Sequence, residues 1–210
     1  MKILVTAGPT REHVDDVRFI SNLSSGRMGF VIAEAARRAG HEAVLVAGPT
    51  NLSPPAGVEF VPVTSAAEMA EAVKSRFEDV DAVVMAAAVA DYRPKKKIAG
   101  KIQKGEKPLN LELERTEDIL AHLGGMKKDQ VLVGFALEAS EADIERGLEK
   151  CRAKHCDLVV VNTVSAMGKA ASTAVIADRD NVLTTLTDTD KTEIARTILN
   201  QVSRILESRR

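Results

Sequence analysis

The chain has 210 residues, 45% of them hydrophobic and 28% charged, with a formal net charge of −1. That is the size and balance of one globular α/β domain, without the basic excess of a nucleic-acid binder. Aromatic residues are 3%, with no Trp and one Tyr, so a stacking platform for single-stranded nucleic acid is missing. The longest apolar runs, such as Ala82–Ala90, fall far below the roughly 18 residues that span a membrane. The N-terminus lacks a signal-peptide pattern. Cys151 and Cys156 do not make a disulfide framework or a zinc site, and read as reduced thiols of a cytoplasmic protein.

In chain order, Lys2–Thr6 is a buried strand that ends at the turn Ala7-Gly8-Pro9-Thr10. Ser24-Ser-Gly-Arg-Met-Gly29 leads into a helix over Phe30–Arg38, stopped by Gly40. Ala43–Ala47 and Val58–Val63 are strands, with a proline-rich loop between them. Ser65-Ala-Ala-Glu68 is a capping box that opens a helix to about Phe77. Asp81–Ala88, almost wholly apolar, is a central parallel strand. Tyr92–Lys107 holds six lysines and two glycines and reads as a mobile lid. Thr116–Leu123 is a short helix with Glu117 and Asp118 in its first turn. Val131–Leu137 and Leu158–Asn162 are strands, and a helix over Ser140–Lys154 separates them. Thr173–Ala177 and Val182–Leu186 form a hairpin around Arg179-Asp-Asn, and Asp190–Ser208 is a final amphipathic helix. This alternation predicts an α/β fold: a Rossmann-like, doubly wound, mostly parallel sheet closed by a C-terminal antiparallel hairpin. It forms a single domain over 1–210.

Four segments could carry chemistry. Gly8, after the first strand, lets backbone approach a ligand, or is a plain turn. Ser24, Ser25, Gly26 and Gly29 at a helix start resemble a phosphate cradle, or simply cap the helix. The run Ala86-Ala-Ala-Val-Ala-Asp91 leaves space beside bare backbone and ends in a carboxylate, or is packing followed by a surface acid. Lys95, Lys96, Lys97, Lys101, Lys104 and Lys107 form either a solvated face or a basic lid over polyphosphate.

These segments together resemble the phosphopantothenoylcysteine synthetase family. The resemblance rests on Thr6-Ala-Gly-Pro-Thr-Arg-Glu12, Val17-Arg-Phe-Ile-Ser-Asn22, Ser24-Ser-Gly-Arg-Met-Gly29, Ala86-Ala-Ala-Val-Ala-Asp-Tyr92, Lys101-Ile-Gln-Lys104, Gly134-Phe135 and Asp157 to Asn162. It runs from Ile3 to about Leu206. It implies a phosphopantothenate–cysteine ligase of two steps. The 4'-phosphopantothenate carboxylate displaces pyrophosphate from a nucleoside triphosphate, and the amine of L-cysteine then displaces the nucleotide. The bacterial character of the motifs points to CTP, with Mg2+ as the ion. Carried over by residue, Asn22 holds the acyl-nucleotide or orients the reacting carboxyl, Arg18 assists with phosphopantothenate, and Lys101 serves the cysteine step. Nucleotide binding falls to Gly8, Ser25, Gly26 and Gly29, to Met85, Ala86, Ala87, Ala88 and Asp91, to Glu117, Asp118, Ile119 and Leu120, and to Phe135, Lys150 and Lys154. The chain departs from the family at Asp16 and Glu117, where Pro is usual, at Leu23, often His, and at Gln103, in place of Lys. The resemblance also implies a homodimer and a flavin-dependent phosphopantothenoylcysteine decarboxylase as a fused or separate partner. Met167, Gly168 and the stretch 170–173 serve either an interface or a strand connection.

Two other readings make different demands. An NAD(P)-dependent reductase needs a glycine-rich turn directly after the first strand and an acid ending the second. Here the second strand ends Ala47-Gly48-Pro49. A non-catalytic nucleotide sensor would keep the glycines but could lose Asn22 and Lys101, which are both present.

Overall fold

Every long apolar run becomes a strand of one eight-stranded sheet. The computed structural model describes residues 1–105, 108–138, 144–163 and 171–209. The strands are β1 (Lys2–Ala7), β4 (Glu42–Ala47), β5 (Glu59–Pro62), β6 (Ala82–Met85), β9 (Val131–Glu138), β10 (Leu158–Thr163), β11 (Ala171–Ala177) and β12 (Val182–Asp190). Their spatial order is β12-β11-β10-β9-β6-β1-β4-β5. The six from β5 to β10 pair in parallel, and β11 and β12 pair antiparallel at one edge. Counted among the parallel strands alone, this is the doubly wound order 3-2-1-4-5-6. The winding therefore reverses between β1 and β6, the position at which open α/β sheets commonly bind ligands beyond the strand ends.

Alternate residues of β1 serve opposite faces. Ile3 and Val5 pack with Phe30, Ile32 and Ala36 of α1 (Arg27–Arg38) and with Ile194, Ile198 and Val202 of α5 (Lys191–Ser208). Leu4 packs on the other face with Met69 and Val73 of α2 (Ala66–Lys74) and Leu123 of α3 (Ile119–Met126). Leu148 and Cys151 of α4 (Ile144–Ala153) extend that face over β10 and β11. No helix among the described residues is long and apolar enough to cross a membrane.

The structure shifts several expected boundaries. Helix α1 starts at Arg27, because Gly26 adopts φ 74° and closes the preceding loop. Helix α2 ends at Lys74, and Phe77 opens a separate short 3-10 turn (Phe77–Asp79). Asp118 does not lie in the first turn of α3: it is the N-cap, accepting the Ala121 N–H at 3.0 Å, and Glu117 precedes it. Strand β6 ends at Met85, so Ala86–Ala88 lie beyond the sheet. Two small hairpins were not anticipated: β2 (Arg11–His13) with β3 (Phe19–Ser21), and β7 (Tyr92–Pro94) with β8 (Leu113–Arg115). Ser65 is the N-cap as expected, its Oγ accepting the Glu68 N–H, but the Glu68 carboxylate reaches one residue further back and accepts the Thr64 N–H instead of the Ser65 N–H. The capping role of Ser140 and the segment with Met167 and Gly168 lie outside the described residues, as does Lys107.

Glycines bring the backbone segments at the reversal into direct contact. A Cβ on Gly48 would sit 1.9 Å from the Pro9 carbonyl oxygen, and one on Gly26 would sit 3.1 Å from Gly8 Cα. Gly48→Ala is therefore expected to lower stability by about 1–3 kcal/mol through overpacking, measured by urea unfolding against the wild type.

Candidate active site beyond β6 and β9

The chain leaving β6 is laid along the loop leaving β1. Ala88 N–H donates to Gly8 O at 2.9 Å and Thr10 N–H donates to Ala88 O at 3.3 Å. Thr6 Oγ1 accepts the Ala87 N–H at 3.1 Å, and Thr10 Oγ1 accepts the Ala90 N–H at 3.0 Å. These bonds pull Ala86–Ala88 out of the sheet and turn the small-residue run into a wall of bare backbone. Asn22, just past β3, donates its side-chain amide to Ala88 O at 3.2 Å and Val89 O at 3.0 Å. Ser21 Oγ fixes the same strand end to Thr10 O at 2.7 Å.

Behind this wall is a cavity of about 480 Å³, lined by Met85, Ala87, Val89, Asp91, Tyr92, Phe135, Lys154 and the run Arg115–Leu120. Its volume falls in the range of small-molecule sites. Apolar Met85, Ile119, Leu120 and Phe135 offer a surface for a flat group, and polar residues occupy the rim. The expected residues Met85, Ala87, Asp91, Glu117, Asp118, Ile119, Leu120, Phe135 and Lys154 meet in this cavity.

Other expected residues sit elsewhere. Gly8 and Gly26 touch each other beside Thr50, across the wall. The N–H groups of Gly26 and Arg27 go to Ser24 Oγ at 3.2 Å and Ser25 Oγ at 3.5 Å, while α1 itself has no side-chain cap. Gly29 is a packing glycine: its Cβ position is 2.6 Å from Ala7 Cβ, so α1 lies directly on β1. Ala86 and Ala88 build the wall without lining the cavity, and Lys150, on α4, does not line it either.

Arg18 does not line the cavity. Its guanidinium pairs with Asp15 at 2.7 Å and donates to Ile102 O at 3.2 Å, and so is already engaged as a strut between the β2–β3 turn and the lid. Asp15 is fully buried. The Ile102 N–H, then the Val17 and Arg18 N–H groups and the Arg18 charge, hold its carboxyl down to about 2 against the opposing effect of burial. The lid is fastened at several points: Lys97 pairs with Asp16 at 2.8 Å, Lys95 with Glu112 at 2.7 Å, and Ile98 N–H donates to Val14 O at 2.9 Å.

Charges in and around the cavity divide into committed and free. Glu117 binds Lys74 at 2.8 Å and faces His122 Nδ1 at 3.0 Å, and Lys154 binds Asp118 at 2.9 Å. Asp91 and Arg115 line the same cavity and make no side-chain hydrogen bond or ion pair among the described residues. No motif in the sequence marks Arg115. Its role appears only once β8 pairs with β7 and sets it opposite Tyr92. Glu12, inside a quoted motif, is likewise structural: buried, it accepts the Ala66 N–H at 2.8 Å and caps α2. Cys151 and Cys156 are free and buried. The hydrogen bond with Cys151, together with burial, pushes the Cys156 thiol up. Among the described residues no three His, Cys, Asp or Glu side chains gather into a metal cluster.

Comparison with known proteins agrees with this geometry. The family model described as the DNA/pantothenate metabolism flavoprotein C-terminal domain matches residues 1–206. The coenzyme A biosynthesis bifunctional protein CoaBC of Bacillus subtilis is 49% identical over 168 residues, 79% of this chain and 41% of that protein. A cysteine/cysteine sulfinic acid decarboxylase from an unknown prokaryotic organism is 40% identical over 207 residues, 96% of this chain and 57% of that protein. The chain thus spans about half the length of these relatives. The crystal structure of the C-terminal domain of a CoaBC protein superposes with a TM-score of 0.85 at 43% identity, covering 99% of this chain and 96% of that one.

Two outcomes follow from the charges. Because the Asp15 pKa is depressed on folding, its contribution is whole above about pH 4 and is lost as pH falls toward about 2. The difference in Tm between wild type and Asp15→Asn should therefore be constant from pH 5 to 7 and shrink toward zero below pH 3. Arg115→Ala should weaken binding of inorganic pyrophosphate by roughly tenfold or more, the scale of a lost charge-assisted hydrogen bond, measured by calorimetric titration.

Proposed function

The chain belongs to the DNA/pantothenate metabolism flavoprotein C-terminal domain family, and we propose that it is a phosphopantothenate–cysteine ligase acting in coenzyme A biosynthesis. The observation that carries this reading is the Asn22 amide clamped on the Ala88 and Val89 carbonyls, at the wall of a cavity whose rim holds an uncommitted Arg115 and Asp91. Such a site suits one anionic substrate lying against another.

The chemistry follows from the substrates. A carboxylate resists amide formation until one oxygen becomes a good leaving group. A carboxylate oxygen of 4'-phosphopantothenate attacks the α-phosphorus of CTP; the new P–O bond forms as the bond to pyrophosphate breaks. The cysteine amine then attacks the acyl carbon, the acyl–oxygen bond breaks, and CMP leaves with the product 4'-phosphopantothenoylcysteine. Both steps build negative charge on oxygen, and fixed donors stabilise that charge best in a site shielded from water. Apolar Phe135, Ile119 and Leu120 provide the base platform, Arg115 faces the phosphates, and Lys101 brings its ammonium from the lid for the cysteine step. Asn22, held by its amide on the Ala88 and Val89 carbonyls, orients the acyl-nucleotide. Asp91, the cavity's uncommitted carboxylate, fits a Mg2+ entering with the nucleotide, since that ion binds through one or two carboxylates plus phosphates; it would offset phosphate charge there.

The same reading includes a homodimer in the cytoplasm. Exposed Val17, Phe19, Leu109, Leu111 and Leu113, on and beside the two small hairpins, supply apolar surface for a second copy. It also includes a flavin-dependent decarboxylase, fused or separate, that consumes the product.

The test is pyrophosphate release with CTP or ATP in parallel. Release that requires 4'-phosphopantothenate supports the ligase, and CTP should be preferred. Asn22→Ala is expected to slow that release by roughly a hundredfold, the scale of a lost orienting contact at a reacting group. Wild-type release from a folded Asn22→Ala protein would remove Asn22 from the mechanism.

A further inference from the structure

We infer that Asp15 and Asp16 are positioning residues that present Lys101 to the site. The inference rests on the ligase reading above, which gives Lys101 the cysteine step. Lys101 itself makes no side-chain hydrogen bond or ion pair among the described residues. Its two chain neighbours, by contrast, are fastened on both their backbone groups. Gly100 N–H donates to Asp16 Oδ2 at 2.8 Å, and Gly100 O accepts the Asp16 N–H at 3.1 Å. Ile102 N–H donates to Asp15 Oδ2 at 3.0 Å, and Ile102 O accepts from Arg18 Nη1 at 3.2 Å. The backbone on either side of the lysine is thus held while its ammonium stays uncommitted. A loop serving only as a solvated charge run has no need of that arrangement.

The mount is itself built to be stiff. Asp15 Oδ1 accepts the Val17 N–H at 2.8 Å and the Arg18 N–H at 2.6 Å, closing the β2–β3 turn on its own carboxylate. Val14 N–H adds a bond to Arg18 O at 2.9 Å. Asp16 is exposed, and its second oxygen pairs with Lys97, so a single side chain holds the lid at two points. Gly100 has φ 74° with open space at its Cβ position; it supplies the left-handed bend from which Lys101 projects.

Continuity with the site supports a functional role. The β2–β3 hairpin has two working ends. One carries Asn22 onto the cavity wall at Ala88 and Val89, and the other carries Asp15 and Asp16 onto the lid. The residue assigned to acyl-nucleotide formation and the mount of the residue assigned to the cysteine step therefore belong to one rigid element. Orientation of this kind can carry a large share of a rate enhancement, and a displacement of about 1 Å can cost roughly a hundredfold.

The two half-reactions separate this role from simple stability. Asp16 lies at the surface, so Asp16→Ala should fold. It should leave pyrophosphate release without cysteine unchanged. It should slow single-turnover transfer to cysteine by roughly tenfold, with half-saturation for cysteine unaltered. Asp16→Asn, which keeps an acceptor for the Gly100 N–H, should recover most of that rate. In a Lys101→Ala background Asp16→Ala should cause no further loss, because it acts through the lysine. Protection of the Gly100 amide from hydrogen exchange should fall in Asp16→Ala. Transfer at the wild-type rate in Asp16→Ala, an undiminished effect in the Lys101→Ala background, or unchanged Gly100 protection would each overturn the inference. If Lys101→Ala transfers cysteine normally, the inference falls because the lysine has no such role. If the wild type forms no acyl-nucleotide, it is the ligase reading that fails.

Discussion

The crevice depends on backbone meeting backbone at the reversal between β1 and β6. Pro9 O lies 1.9 Å from where a Gly48 side chain would begin, and a Cβ on Gly26 would sit 3.1 Å from Gly8 Cα. A side chain at Gly48 would overlap backbone, and one at Gly26 would be strained by its φ of 74°. With the loop after β1 pinned there, its free N–H, C=O and threonine groups have fixed directions, and the chain leaving β6 pairs with them rather than extending the sheet. The wall on which Asn22 rests is the result. A conventional dinucleotide fold uses its glycines to admit a pyrophosphate at the first turn. Here Gly29 and Gly48 serve close packing, and none of these glycines lines the cavity.

A second constraint is the division of charge. Most cations around the cavity have partners: Lys74 with Glu117, Lys154 with Asp118, Lys97 with Asp16. Those pairs set the positions of loops and helix ends. Being at least partly exposed, they add little to stability one by one. What they leave uncommitted, Arg115 and Asp91 in the cavity and Lys101 on the lid, is a small set of groups available to a ligand. That contrast supports assigning roles to these three more firmly than the lysine-rich composition of the lid could.

Much of the sheet was legible, because parallel strands buried on both faces read as continuous apolar runs, as at Val83–Met85 and Val159–Val161. The Ser65 N-cap was legible for the same local reason. Asp118 was misplaced by one step because a cap and a first-turn acid look alike in sequence. The two hairpins were missed since Arg11–His13 and Tyr92–Pro94 are short and polar, with no alternation to mark them. The Arg18 bond to Ile102 O was not legible, because the two are distant in the chain and no local pattern reports a bond of that span. Asn22 needed the resemblance to be noticed at all; only the fold shows what holds it.

The central claim is that the cavity activates a carboxylate as an acyl-nucleotide before an amine arrives. The most direct measurement is mass analysis of the wild-type reaction with 4'-phosphopantothenate, CTP and Mg2+, first without cysteine and then after its addition. The account predicts a phosphopantothenoyl-cytidylate that accumulates with pyrophosphate and is discharged by cysteine to CMP and 4'-phosphopantothenoylcysteine. Formation of CDP and inorganic phosphate, or product with no nucleotide-linked intermediate, would contradict it.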